Sequence, residues 1–458
     1  MIGVRLRLAG LIVVLGAAWP APAAAKLVVD HIVVRGPSKV TTRVLMTRMH
    51  LYPGDPVDFA VLKAAEQRLM ESDLFSSVRV FVELPTAETV RRIYLDDSTY
   101  PVEVVVEAVG KLTWFAFPTA SFGSGDWAGG FAYANQNFLG RDLHLLGAAQ
   151  VGQSRSYAFV DFSDPLVAGA PLTYSLSALY RPEQIRYFAN HTLVMLVPTT
   201  VAGGSGYIGW VLSPHSRASL GFSARHLTVS PAQVFCGPAL PYNPRSGRIF
   251  VVEFRLQYDD TRAEEGIRRG IRLLLKNEVS DRYWRSDFDY SKFQVQVDLY
   301  GHYRWNYPSL NLVTILDYPT SDHGRPVTEV VRIGGTSLRG YLANEFHGDT
   351  LVSAQSEDQA VLLHLRVPWT QVRFNVAAAV FADAATLLDR FPGGTPVPPP
   401  DVPPPPVRSK LKDIHASFGG GVRAILPGVA IPAFKVDVGY GIDVHSVAVT
   451  ISVAGGGI

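Results

Sequence analysis

Apolar and polar side chains alternate along most of this chain from Lys111 onward. Val252, Phe254, Leu256 and Tyr258 fall on one side of an extended backbone, and Glu253, Arg255 and Gln257 on the other. Phe293, Val295, Val297 and Leu299 alternate with Gln294, Gln296 and Asp298; Phe434, Val436, Val438 and Tyr440 alternate with Lys435, Asp437 and Gly439. A period of two with one polar face marks strands between an apolar and an aqueous phase. Such runs predict strands near 111–118, 127–134, 143–152, 156–163, 171–181, 200–212, 216–229, 249–259, 267–279, 291–304 and 310–317. Five more are predicted near 360–368, 372–382, 412–425, 432–442 and 444–454, for sixteen in all. The stretch from Thr320 to Gln359 is too long for a hairpin turn and is expected to fold inward.

The first hundred residues have a different texture. Leu27 to Val34 alternates as a strand. Ser38 to Met49 predicts a helix with Ser38 as N-cap. Asp58 to Leu69 predicts a second, with Phe59, Leu62, Ala65, Gln67 and Leu69 on an approximate apolar face. Phe75 to Glu83 and Val102 to Val109 read as further strands, so the order is β-α-α-β-β. Before them, Arg5 and Arg7 precede a short apolar run and Ala23-Ala24-Ala25, the pattern of a secretory signal over residues 1–25.

Composition narrows the class. Hydrophobic residues make up 47% and aromatics 11%, with 40 glycines, yet after the signal no uncharged apolar run is long enough for a spanning helix. The best candidate, Val372 to Leu388, is broken by Arg373, Asn375 and Asp383. The expected fold is therefore a transmembrane β-barrel of about 16 antiparallel strands over 109–458, preceded by a small α+β domain over 26–108. Without the signal the bases and acids balance, which gives no reason to expect a nucleic-acid partner. The lone Cys236 makes no intramolecular disulfide. Residues 392–407, rich in proline, are expected to be a solvated polyproline spacer.

An enzyme is not expected. His144, His226, His302 and His364 lack ligand spacing, and Gly203-Gly204-Ser205-Gly206 has no following helix to complete a phosphate site. No metal or other cofactor is expected.

Ile32-Val33-Val34-Arg35-Gly36, Leu51-Tyr52-Pro53-Gly54-Asp55-Pro56-Val57 and Leu74-Phe75-Ser76-Ser77-Val78-Arg79-Val80 resemble a single POTRA (polypeptide-transport-associated) domain. Further on, several short stretches occur in the order of the BamA/TamA superfamily of outer-membrane assembly factors. They are Asn135-Gln136-Asn137-Phe138-Leu139-Gly140-Arg141, Phe162-Ser163-Asp164-Pro165, Tyr258-Asp259-Asp260-Thr261-Arg262 with Gly266, Gly334-Gly335 with Leu338-Arg339-Gly340-Tyr341, and Phe381-Ala382-Asp383. The mature chain resembles that superfamily almost throughout.

The resemblance implies that Arg339 lies in the lumen as part of an inward-folded loop, with Asp383 as its carboxylate partner. A guanidinium–carboxylate pair suits that task physically. The resemblance also places His364, in Leu363-His364-Leu365-Arg366-Val367-Pro368, where family members carry a twelfth-strand glutamate. The expected loop lock is Gly334, Gly335, Arg339, Gly340, Tyr341, Asp383 and His364. The chain departs from the family in ending Gly455-Gly456-Gly457-Ile458 rather than in an aromatic residue.

A closed barrel must join its first and last strands, and both look poor at pairing. Pro118 lacks an amide donor, and three glycines follow the last strand. A lateral seam is expected at Trp114, Phe115 and Pro118 against Val447, Val449 and Ile451. The N-terminal domain is expected to offer the edge at Val78, Val80 and Val82 to unfolded clients. The function so implied is insertion of β-barrel clients through that seam in a Gram-negative-type outer membrane, with lipid, unfolded clients and accessory assembly proteins as partners. A polypeptide-secreting pore of the two-partner type, or a passive channel, is the alternative.

Overall fold

A computed structural model describes residues 26–37, 39–72, 74–83, 99–189, 191–235, 244–264, 267–321, 324–366, 373–388, 414–426 and 432–453. The expected signal, Ser38, Cys236, Gly266, Val367, Pro368, the proline-rich segment and the terminal glycines lie outside them. The chain divides into two compact units at Lys111 and Leu112.

The first unit contains β1 (Lys26–Arg35), α1 (Thr42–Met49), β2 (Pro56–Val57), α2 (Phe59–Glu71), β3 (Phe75–Glu83) and β4 (Thr99–Gly110). The sheet order is β2-β1-β4-β3, with β1 and β4 parallel and β3 at an edge. Thr41, not Ser38, occupies the N-cap of α1 and makes no side-chain cap bond. Asp58 does cap α2, accepting from the Val61 amide at 2.7 Å. Leu45, Met49, Leu62, Ala65 and Leu69 from the helices pack on Val78, Val80, Val102, Val104 and Val106 of the sheet. Each fully buried branched side chain of this kind contributes roughly 1.5–3 kcal/mol.

The second unit is a closed antiparallel barrel of sixteen staves. They are β5 (Trp114–Gly123), β6 (Asp126–Phe138), β7 (Leu143–Gly152), β8 (Tyr157–Asp164), β9 (Leu172–Ala189), β10 (Thr192–Ser213), β11 (Ser216–Val229), β13 (Gly247–Glu264), β14 (Ile267–Ser280), β15 (Tyr290–Tyr300), β16 (Asn306–Pro319), β19 (Thr350–Arg366), β20 (Arg373–Leu388), β21 (Ile414–Ile425), β22 (Pro432–Gly441) and β23 (Ser446–Val453). A two-residue strand, β12 (Gln233–Val234), pairs with β10. The hairpin β17 (Val331–Ile333) and β18 (Phe346–Gly348) lies within the long 320–349 connection. The rim where β5 begins is called proximal here, and the rim bearing that connection distal.

The sequence pattern becomes an inside-out arrangement. Phe254 is half exposed on the outer surface while its neighbour Glu253 is buried toward the lumen. The same holds at Val438 beside Asp437. β19 begins at Thr350, ten residues before the run predicted from Ala360. Its outer row there is Val352, Ala354, Ser356 and Asp358, too small and polar to give an apolar period. The first stave is 114–123 rather than 111–118, and β10 starts at Thr192. At the distal end Ile185, Val197, Val201, Leu227, Ile249 and Tyr290 turn inward and pack with Val327 of the long connection. That part of the lumen is a packed core.

Candidate functional site: the lumenal loop and the barrel seam

Arg339 sits at the tip of the 320–349 connection and is 4% exposed. Its Nε and Nη2 donate to the two oxygens of Asp383 on β20, at 2.8 and 2.7 Å, and its backbone amide adds a third bond at 3.1 Å. The guanidinium lies 3.5 Å from the centre of the Phe381 ring, a cation–π contact strengthened by desolvation. Its Nη1 donates to Glu357 on β19.

Glu357 also accepts from Arg423 of β21, at 2.9 and 3.2 Å. Arg423 in turn pairs with Asp437 of β22 at 2.6 Å, and Lys435 with the same carboxylate at 2.9 Å. Three cations and three carboxylates thus form one neutral cluster across four neighbouring staves. A buried charge without a partner costs several kcal/mol, so such a cluster holds only when complete.

The twelfth stave therefore supplies a glutamate, Glu357, and His364 does not take that part. His364 bonds Asn375 at 2.8 Å near the proximal rim. Sequence reading missed Glu357, Arg423 and Asp437. The available signal was opposite charge on lumen-facing positions of adjacent strands.

Tight backbone geometry seats the tip. Gly340 has φ +93°, and a Cβ there would lie 2.8 Å from the Gly441 amide nitrogen. Any larger residue would lift Arg339 off β22. Tyr341 donates through its hydroxyl to the Ala416 carbonyl at 2.8 Å and bonds Asp443. Gly334 and Gly335, both at positive φ, turn the chain before the tip. The root of the connection is held by Arg325 between Asp317 and Asp349, by Arg332 on Glu183 at 2.6 Å, and by Glu329 on Arg225 and Lys292 at 2.9 and 3.3 Å.

The seam is short. β23 meets β5 over four register pairs among the described residues, Thr450 to Val453 against Gly123 to Ala120. Other neighbouring staves share between seven and eighteen pairs. Gly123, at φ +122°, lets the Val449 carbonyl approach so closely that a Cβ would sit 1.8 Å from it. Of the expected seam residues, Ile451 pairs across, with Phe122. Val447 and Val449 pair only with β22, and Trp114, Phe115 and Pro118 have no partner among the described residues of β23. Trp114 and Val447 are exposed on the outer surface. On the first unit, Val78, Val80 and Val82 point into the helix-covered core, so what the β3 edge offers is its backbone, with the Val80 amide already taken by the Glu66 carboxylate at 3.2 Å.

The Omp85 superfamily domain matches residues 137–446. The chain belongs to the Omp85 superfamily. No curated protein matches the sequence. Among solved structures, BamA from Haemophilus ducreyi lacking POTRA domains 1-3 is similar in fold at 15% identity and TM-score 0.65, over 93% of this chain and 84% of that one. CdiB from Acinetobacter baumannii is similar at 12% identity and TM-score 0.56, over 93% and 74%. CdiB from Escherichia coli is similar at 12% identity and TM-score 0.51, over 95% and 93%. Omp85 barrels are outer-membrane transport and assembly proteins, and this one is not an enzyme.

Proposed function

We propose that this Omp85 barrel inserts β-barrel clients into the outer membrane by opening between β5 and β23. The observation that carries this reading is the junction itself: among the described residues four pairs join β23 to β5, and Ser446 to Val449 pair with β22 and not with β5. Each ladder pair lost exposes amide and carbonyl groups that lipid cannot satisfy. An opened edge therefore captures any strand able to supply the missing bonds. The N-terminal unit is read as one POTRA domain in the periplasm, with the β3 backbone as a client-binding edge and accessory proteins as further partners. Its layer of two helices on a mixed sheet supports that reading.

Ser121 and Ser452 are register partners across the seam. In a Cys236→Ser background, Ser121→Cys with Ser452→Cys locks the junction. Oxidised protein in liposomes is expected to lose client insertion and to regain it on reduction. Full insertion with the disulfide formed rejects lateral opening.

The fold likeness to CdiB keeps secretion of a polypeptide as a second reading. A passive channel fits less well, because the 320–349 connection and the distal apolar cluster fill the lumen there. Bilayer recordings separate these: a steady large conductance favours a channel, and brief client-dependent openings favour an insertase.

A further inference from the structure

The loop tip crosses the seam. Gly340 lies on the β22–β23 side, where its carbonyl accepts from the Ser446 hydroxyl at 3.1 Å. Three residues later the Ala343 amide donates to the Ser124 carbonyl, in the turn between β5 and β6, at 2.9 Å. Leu342, between them, lies against Gly125 of the same turn.

The two attachments differ in kind. Toward β19–β23 the loop is tied by the six-charge cluster, by Tyr341 on Ala416 and by the tight seat of Gly340. Toward the β5–β6 turn it offers a backbone hydrogen bond and a leucine contact. A polar cavity of about 150 Å³ also opens there, lined by Ser121, Ser124, Asp126, Gln150 and Thr336. A neutral hydrogen bond beside a polar cavity large enough for water is readily exchanged.

We infer that the 340–343 segment is a clasp spanning the seam, fixed on the β20–β23 side and releasable at Ser124–Ala343, so that the seam opens when this link is given up together with the Ser124–Thr450 hydroxyl bond and the four ladder pairs. The inference rests on lateral opening. It adds which contact yields and which stays. Arg339 remains docked on Asp383 in the open barrel, so the loop is a stationary post from which the β5–β6 turn departs.

The test uses the full chain with Cys236→Ser in nanodiscs. Ala343→Pro removes the amide donor and leaves every member of the charged cluster in place. The disulfide-trapping rate of Ser121→Cys with Ser452→Cys reports seam closure, and trypsin cleavage at Arg339 reports docking of the tip. Ala343→Pro is expected to slow trapping by about fivefold, the effect of losing one ordinary hydrogen bond, with Arg339 still protected. Asp383→Asn is expected to slow trapping and to expose Arg339. Trapping at the unmodified rate in Ala343→Pro, or cleavage at Arg339 in that variant, overturns the clasp.

Should Ala343→Pro not fold, Ser124→Cys with Ala343→Cys locks the clasp while leaving the seam serines in place. That lock is expected to stop client insertion until reduced, and undiminished insertion overturns the inference. If the Ser121–Ser452 lock also leaves insertion intact, lateral opening itself fails. If the Ser121–Ser452 lock stops insertion and the clasp lock does not, only the clasp fails.

Discussion

The two units of this chain bury opposite things. The N-terminal unit puts Leu45, Met49, Leu69 and Phe75 inside and leaves Arg35, Glu83 and Lys63 in solvent. The barrel puts Arg339, Arg423, Asp383 and Asp437 inside and leaves Phe131, Val438 and Trp210 on its outer face. One solvent rule produces both. Apolar surface goes where water is absent, which is the core of a water-borne domain and the outside of a membrane cylinder. Buried charge is tolerable in the barrel because every charged member of the cluster has an opposite neighbour. In the first unit ion pairs such as Arg35–Glu83 lie in water, where such pairs contribute little.

The largest test of this contrast is Arg423→Ala. It leaves Glu357 and Asp437 without their shared cation, and breaking a buried pair of this kind costs about 3–5 kcal/mol. Urea unfolding in detergent is expected to show that loss in the barrel transition alone, together with proteolysis of the 320–349 connection. Next, Leu69→Ala removes a fully buried side chain from the first unit, for a loss of about 2–5 kcal/mol. Its thermal transition falls and the heat-modifiable migration of the barrel stays. If both transitions move together, the units are not independent in stability.

A matched pair of surface changes sharpens the comparison further. Phe131 on β6 and Phe59 on α2 are both exposed, at 52% and 83%. Phe131→Lys puts a charge toward lipid at mid-strand and is expected to cost about 2–4 kcal/mol. Phe59→Lys, on the water side, should stay within about 0.5 kcal/mol. Equal effects would mean that the outer face of the barrel does not meet hydrocarbon.

The smallest effect concerns acid. The Lys63 ammonium, and then the Val80 amide, hold the Glu66 carboxylate below its ordinary value of 4.5, against the opposing effect of burial. A depressed carboxyl stabilises the fold above its unfolded value and loses that contribution as pH falls through the folded one. The first unit should therefore lose a little stability below about pH 4.5, and Glu66→Gln should flatten that slope. An unchanged slope in Glu66→Gln would assign the acid sensitivity elsewhere.

Some of the site could be read from short motifs. Arg339 and Asp383 each stand in a recognisable local pattern, Leu-Arg-Gly-Tyr and Phe-Ala-Asp. Glu357 could not be found this way, because the outer row around it, Ser356 and Asp358, hides the strand that carries it. His364 lies farther along the same stave, where the period is clear, and so drew the assignment that Glu357 fills. The valines of β3 were named for an edge, yet alternation sends their side chains to the core. Strand position and side-chain direction are separate facts, and only the first is a property of the edge.

Local alternation along the chain is enough to specify the inside-out polarity of the larger unit and most of its staves, because a period of two records the solvent on each face one residue at a time. Folding in three dimensions chose which charges meet, since Arg339, Glu357, Arg423 and Asp437 come from different segments and are joined by barrel closure and strand register. It also decided which of the described residues close the cylinder and that the loop tip reaches both sides of the junction. Register and closure are global constraints: a one-residue slip in any stave turns its lumen row outward, and no local window of sequence contains that information.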